Sequence, residues 1–145
     1  MGRVLGLVGG LLALCIALLV LAVVLTRDEG NLQADSQLSE RFTRAVTLAG
    51  QGDGTVDLRS VAPFEWDRVV LVASGTPRAA ISRRLGQEWT GIDTVDGGDL
   101  LIFLRGRDVA RFADYRGVGR FEGFSRPFAE LPRVLQVRGL AITAR

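Results

Sequence analysis

The sequence predicts an α+β protein with an N-terminal transmembrane helix and a small domain that contains a mainly antiparallel sheet and one or two packed helices. An uncharged apolar run occupies residues 4–25. Beyond it, short β-rich segments follow one another with short turns between them, which favours antiparallel pairing. The helical patterns stand apart from this strand series, which indicates α+β and not a doubly wound sheet.

Composition narrows the function classes. The chain has 145 residues, enough for one domain after the apolar run. Its one cysteine, Cys15, excludes an intramolecular disulfide and zinc sites built on paired cysteines. It has neither histidine nor lysine, so nucleophilic catalysis lacks its commonest bases. We therefore expect no cofactor.

Charge is unevenly distributed along the chain. The net charge of +2 is too small to favour a nucleic-acid partner. Residues 26–100 carry 8 arginines and 12 acids, whereas residues 101–145 carry 9 arginines and 4 acids. We expect these parts to pair on folding; the alternative is a basic face for an anionic partner. The all-arginine usage has two interpretations, a G+C-rich genome or selection for bidentate contacts to phosphate and carboxylate.

The apolar run predicts a membrane anchor. Fifteen of its 22 residues are Leu, Ile or Val, and a helix of this length spans about 33 Å, which matches the hydrocarbon core. The alternatives are a cleaved signal peptide and a lipoprotein. The run is too long for a signal peptide, and its end lacks the small residues of a cleavage site. A lipoprotein would have a small residue directly before Cys15, and this chain has a leucine there. We expect residues 1–3 in the cytoplasm and the C-terminal domain outside, anchored by one pass in the cell membrane.

Small residues recur on one face of this segment. Gly2, Gly6 and Gly10 are four residues apart, a spacing that allows two membrane helices to approach closely. Gly6 and Gly10 are thus candidates for a helix–helix contact and for self-association. The alternative is that glycine is common in membrane helices.

Residues 26–54 read as a linker and an amphipathic helix. Apolar residues at helical spacing predict the helix over residues 35–49, capped by Asp35 or Ser36. The glycine-rich residues 50–54 end it. The pattern leaves open whether this helix docks on the domain or forms a stalk.

Residues 55–145 carry the pattern of the folded domain. Residues 55–61 alternate as a short strand, and residues 68–74 are rich in β-branched residues, as in a central strand. A helix follows, with Thr76 as the predicted N-cap, Pro77 at the first helical position and Gly86 as its terminator.

The remaining segments predict the late strands. We expect them, with their turns, at the following positions: strand 89–94, turn 96–99, strand 100–104, turn 105–108, strand 109–115 and a last strand at 133–138.

A short aromatic and acidic segment precedes the central strand. Phe64 and Trp66 alternate with Glu65 and Asp67. This pattern is typical of packing at the start of a strand. The alternative is a recognition patch for a partner, so these four residues are the candidate recognition site.

Two further motifs are weaker. Asp93, Asp96 and Asp99 surround two glycines; a solvated turn is favoured over a calcium loop, because the spacing matches no EF-hand. Residues 74–77 join a strand to a helix N-terminus, a place where backbone amides bind anions, but the glycine-rich loop and lysine of phosphate sites are absent.

Seven residues between positions 64 and 115 form a spaced pattern: Phe64, Trp66, Asp67, Leu85, Gly86, Trp89 and Phe103. With this pattern, residues 64–115 resemble an uncharacterised family of small membrane-anchored or secreted bacterial proteins. That family carries Phe-x-Trp-Asp before a strand, a helix ending in Leu-Gly before a tryptophan, and a strand containing Val-Phe. Where the family often has Pro-Tyr before the helix, this chain has Gly75-Thr76. The resemblance implies localisation and fold; it assigns no activity and carries over no functional residue.

Together these observations favour a membrane-anchored extracytoplasmic module of the bacterial envelope, with a binding or structural role. Its expected partners are the lipid bilayer and a protein or anionic envelope component. The alternative function is a carboxylate-dependent hydrolase of envelope material, which requires two acids that converge in a cleft.

Overall fold

The computed structural model describes residues 32–92 and 96–145. The predicted N-terminus at residues 1–3, the membrane segment at 4–25 and the Gly6 and Gly10 contact lie outside the described residues. Within the described ranges, no helix has both the length and the apolar character needed to cross a bilayer. The membrane anchor therefore stays a prediction.

The described chain folds into eleven helices and strands. In chain order they are α1 (Ser36–Gly50), β1 (Thr55–Asp57), α2 (Leu58–Val61), β2 (Arg68–Val72), α3 (Arg78–Leu85), β3 (Asp99–Arg105), β4 (Asp108–Tyr115), β5 (Arg120–Phe121), β6 (Phe128–Glu130), β7 (Val134–Arg138) and β8 (Ala141–Ala144). The strands form two four-stranded sheets, ordered β1-β7-β8-β5 and β4-β3-β2-β6. Each neighbouring pair is antiparallel except β5 with β8. The predicted α+β class with a mainly antiparallel arrangement is confirmed.

Two apolar clusters hold these layers together. The larger one lies between the sheets, where Leu71 and Phe103 of the second sheet and Leu135 of the first are buried together. The smaller one lies on the outer face of the second sheet, where Ile81 of α3 and Trp89 cover Ile102. The second sheet is apolar on both faces because it is covered on both faces.

Helix α1 docks on the domain, which decides the question that its sequence leaves open. Its residues Leu38, Phe42 and Val46 are buried in the larger cluster. Asp35 caps the helix by accepting a hydrogen bond from the Leu38 amide at 2.9 Å, as predicted. The compact unit therefore begins at Leu32, not at residue 55.

The start of α1 also covers an edge of the second sheet. The Asp35 amide donates to the Phe112 carbonyl at 2.8 Å, and the Ser39 hydroxyl donates to the Asp114 carbonyl at 2.6 Å. These bonds satisfy backbone groups on the side of β4 that faces away from β3. Within the part of the chain that is described, no strand pairs with that side.

Ion pairs confirm that the two oppositely charged parts of the chain meet. Four pairs join an acid before residue 101 to an arginine after it: Glu65–Arg105 at 3.1 Å, Asp35–Arg111 at 2.8 Å, Asp57–Arg133 at 2.9 Å and Asp99–Arg126 at 3.8 Å. Most of the excess arginine charge of the C-terminal part is thus paired with acids from earlier in the chain.

The strand predicted at 55–61 is wrong in its second half. Only residues 55–57 pair with β7, and a single helical turn follows. The Asp57 carboxylate accepts a hydrogen bond from the Arg59 amide and starts that turn. Leu58 and Val61 are both buried, and residues three apart share one face of a helix.

The predicted start of the second helix is wrong by one residue. The Thr76 hydroxyl is buried and donates to the Ala73 carbonyl at 2.6 Å, so it closes the preceding turn. Pro77 occupies the cap position, without a side-chain bond, and α3 begins at Arg78. The predicted terminator is confirmed, because Gly86 ends α3 in the left-handed conformation.

The described part of the expected strand at 89–94, residues 89–92, is not a strand. The buried Trp89 indole donates to the Ile92 carbonyl at 2.9 Å, and the Trp89 amide donates to the Ser82 hydroxyl, so the chain folds around the ring. The strand at 133–138 is not the last one, because β8 follows and pairs with β7.

Candidate functional site

The predicted recognition patch is built around one buried ring, Phe103, and the side chains that pack against it. Phe103 is fully buried and contacts Phe64 and Trp66 edge-on, with ring centroids 5.5 and 5.4 Å apart. The Arg59 guanidinium lies 4.0 Å above the Trp66 ring, and that of Arg111 lies 4.9 Å above the Phe64 ring. The two aromatic residues of the patch are therefore packing residues, each covered by an arginine.

The two acids of the patch hold the β3–β4 hairpin. Asp67 accepts a hydrogen bond from the Gly106 amide in the hairpin turn, and its own amide donates to the Leu104 carbonyl at 2.8 Å. Glu65 pairs with Arg105 while its side chain stays 85% exposed. The geometry thus supports the packing interpretation of residues 64–67 better than a recognition role.

A different site lies where the ends of the two sheets meet. An open cleft of about 480 Å³ is lined by Ser74, Gly97, Gly98, Asp99, Tyr115, Arg116, Gly117, Gly119, Arg120, Phe121, Glu122 and Arg126. We name it the arginine cleft. Its three arginines come from the chain after β4, the start of β5 and the β5–β6 connection. Three arginines line one opening, and arginine is the side chain best suited to bind phosphate or carboxylate groups.

Asp99 organises one wall of the arginine cleft. Its carboxylate accepts a hydrogen bond from the Ser74 amide at 3.1 Å, and the Arg126 guanidinium lies 3.8 Å away. The acidic turn and the 74–77 loop, two separate motifs in the sequence, are thereby joined in one wall. Asp96, which precedes Asp99 in the same predicted turn, is exposed, and Asp93 lies outside the described residues.

Tyr115 forms the buried floor of the cleft. Its hydroxyl accepts a hydrogen bond from the Gly119 amide at 3.1 Å. Burial raises the pKa of Tyr115, and the nearby charge of Asp99 raises it further, against the hydrogen bond from Gly119. Gly117 has no room for a side chain, because an added Cβ would lie 2.5 Å from the Tyr115 ring. The loop thus lies directly on the phenol.

The charged residues of the cleft differ in whether they form ion pairs. Arg116 bonds Asp114 at 2.7 Å, and Arg126 faces Asp99. Arg120 and Glu122 form no ion pair with any described residue, and both are exposed. Arg120 is therefore the cation best placed to bind an anion from solution, and Glu122 is the carboxylate best placed to act on a neutral or cationic group.

Sequence reasoning did not find this site. Its members are spread over residues 74–126, and their only common signal is the excess of arginine after residue 100, together with the closely spaced glycines 117 and 119. Among the described residues, no three His, Cys, Asp or Glu side chains are grouped so as to hold a metal ion.

Comparisons with known proteins add no assignment. No family model, no curated protein and no solved structure matches this chain.

Proposed function

We propose that this chain is a membrane-anchored extracytoplasmic binding module of the bacterial envelope, and that the arginine cleft binds anionic groups of an envelope component. The observation that carries the proposal is the convergence of Arg116, Arg120 and Arg126 on one open cleft. The apolar run at residues 4–25 supports the anchor.

The size of the cleft supports a part of a polymer as the ligand. A volume of about 480 Å³ falls in the range of small-molecule sites, so it accommodates one or two charged units of a chain. Because the cleft is open to solvent, the polymer can continue beyond it.

Binding is tested with the full chain in detergent micelles by isothermal titration calorimetry. The probes are polyphosphate, polygalacturonate and neutral dextran, which separate phosphate recognition from carboxylate recognition and from sugar recognition. We expect one of the two anionic polymers to bind and dextran not to bind. The double variant R120Q/R126Q should weaken binding at least tenfold.

The matched control removes the same charge elsewhere. Arg107 and Arg138 are exposed and lie outside the cleft, so R107Q/R138Q should keep the affinity within about threefold. An equal loss in both double variants would mean that overall charge attracts the polymer and that the cleft does not bind it.

The anchor is tested separately. In membranes of an expressing cell, the chain should resist alkaline carbonate extraction, and added protease should cut residues 32–145 from the outer side only. Release by carbonate would remove the anchor from the proposal and leave the cleft untouched.

The hydrolase alternative has one supporting observation, because Asp99 and Glu122 line the same cleft. Asp99 is already held by the Ser74 amide, which leaves Glu122 as the candidate acid or base. If envelope glycan is cleaved, E122Q should abolish product release while the affinity for the polymer stays unchanged. Equal activity of E122Q and wild type would eliminate this alternative.

A further inference from the structure

The two edges of the second sheet are treated differently by the fold. Its β4 edge is covered by the start of α1 through the bonds from Asp35 and Ser39. At the opposite edge, β6 pairs with β2 and with no other strand within the described ranges. An exposed strand edge presents backbone donors and acceptors that match another extended chain.

The register fixes which groups of β6 point outward. The Leu131 amide donates to Val69, and the Pro127 carbonyl accepts from Ala73, so residues 127, 129 and 131 direct their backbone groups to β2. Backbone groups of successive residues alternate in direction. The amides and carbonyls of Phe128 and Glu130 therefore point away from the sheet and offer four hydrogen bonds to a new strand.

A groove of about 620 Å³ follows this edge. It is lined by Arg84, Gly123, Phe124, Ser125, Phe128, Ala129, Glu130, Leu131, Pro132 and Ala144. Phe128 faces the outer side of the sheet, where it packs against the smaller cluster, whereas Phe124 packs against the larger one. The two walls of the groove thus each carry an aromatic ring, on opposite faces of the open edge.

Two charged side chains of the groove, one cation and one anion, have no ion-pair partner among the described residues. Arg84 and Glu130 are exposed, and neither forms an ion pair with a residue that the structure describes. An acidic side chain at the position of an added strand nearest Arg84 would complement it. Since side chains alternate along a strand, the residues next to it in sequence would face Phe124 and should be apolar.

From this edge we infer that the domain binds an extended segment of a partner protein, which adds to β6 as a fifth strand of the second sheet. The four outward backbone groups bind the segment's main chain, Arg84 selects an acidic residue, and the Phe124 wall selects apolar ones. Pro127 and Pro132 bracket the site, so the paired stretch is three residues long and the interaction is one of modest affinity. This surface is separate from the arginine cleft, and the inference does not depend on the anchor.

The probe is a fluorescent acetylated peptide, Thr-Val-Asp-Val-Thr-Val-Thr, with the full chain in micelles. Fluorescence anisotropy measures binding, and amide hydrogen exchange by NMR measures protection of Phe128 and Glu130. We expect saturable binding, with exchange at both amides slowed at least fivefold. Of two peptides N-methylated on alternate residues, the one methylated on the edge facing β6 should bind at least tenfold more weakly.

Matched variants locate the contact. E130P removes the outward amide, whereas E130Q keeps it, so E130P should lose binding and E130Q should retain it. R84E leaves the backbone intact and should weaken binding of the aspartate peptide but not of its asparagine analogue. R120Q/R126Q should bind the peptide as wild type does.

Three results would overturn the inference. The first is equal affinity of both methylated peptides and the parent, which would mean that the backbone edge is not used. The second is unchanged exchange at Phe128 and Glu130. The third is a dimer in analytical ultracentrifugation that E130P dissociates and the peptide does not, because the occupant of the edge would then be a second copy of the chain.

Discussion

Asp35 is the residue that connects the first helix to the second sheet. Its carboxylate accepts one hydrogen bond from the Leu38 amide at 2.9 Å and another from Arg111 at 2.8 Å. Burial raises the pKa of Asp35, but these two hydrogen bonds and the charge of Arg111 outweigh burial, so the pKa is lowered overall. The charged form is therefore the one that the folded state prefers.

This preference makes the contribution of Asp35 depend on pH. A carboxyl whose pKa is lowered by folding stabilises the protein above its unfolded pKa of about 3.9, and the stabilisation is lost as the pH falls through the folded value. D35N retains a capping oxygen but not the charge, so it should lower the free energy of unfolding by about 1 kcal/mol at pH 7. Urea unfolding should show a smaller difference at about pH 2.5.

The control for this variant is E40Q, which removes a charge from an exposed position of the same helix. It should change the free energy of unfolding by less than about 0.5 kcal/mol at both pH values. A D35N penalty that is the same at both pH values would mean that the charge of Asp35 does not contribute to stability.

At the scale of elements, the end of α1 shows how packing overrides helix propensity. Gly50 is the last residue of the helix, where alanine would ordinarily be preferred by up to about 1 kcal/mol. An added Cβ would lie 2.4 Å from the Gly139 carbonyl oxygen in the β7–β8 turn. The helix end and the turn are therefore in backbone contact.

G50A should consequently destabilise the protein by about 1–3 kcal/mol, because the turn must move away from the helix. G52A is the control, since its added Cβ would meet no atom within 4 Å, and it should change the free energy of unfolding by less than about 0.5 kcal/mol. Thermal and urea unfolding measure both. A G50A variant more stable than wild type would show that helix propensity outweighs the contact.

Two of the errors in predicting elements have a common origin. Residues 55–61 and 89–92 contain apolar residues at spacings that fit a strand, and in both places a side chain bonds the backbone and turns the chain. In the first it is the Asp57 carboxylate on the Arg59 amide, and in the second it is the Trp89 indole on the Ile92 carbonyl. Such local hydrogen bonds compete with strand pairing.

At the scale of the whole molecule, α1 is part of the folded unit. Its three buried side chains, Leu38, Phe42 and Val46, contribute to the larger core. Full burial of each is worth about 1.5–3 kcal/mol, so together they amount to a large share of the 5–15 kcal/mol typical of a domain.

Truncation tests whether the domain needs α1 to form its packed core. A fragment of residues 32–145 should unfold cooperatively, with the near-UV circular dichroism of a packed core. A fragment of residues 55–145 should lose that signal and bind a hydrophobic dye. Cooperative unfolding of the shorter fragment would mean that α1 is an accessory of the domain.

Several features were predictable from local sequence. The α+β class, the cap at Asp35, the helix end at Gly86 and the hairpin turn at residues 105–108 follow from propensity, periodicity and turn chemistry, which act between neighbours in the chain. The pairing of the acidic and basic parts followed from their opposite charge. The membrane segment also rests on local sequence, and it remains a prediction.

Tertiary structure alone decided the sites. The arginine cleft joins residues from 74 to 126. The edge of β6 is open because no other described strand pairs with it, whereas α1 covers the opposite edge at β4. The same packing places Phe64 and Trp66 against the buried Phe103, which supports the packing interpretation of their pattern over the alternative recognition patch. The physical reason is that which edge, ring or charge remains exposed depends on contacts between distant segments, and a local pattern does not contain that information.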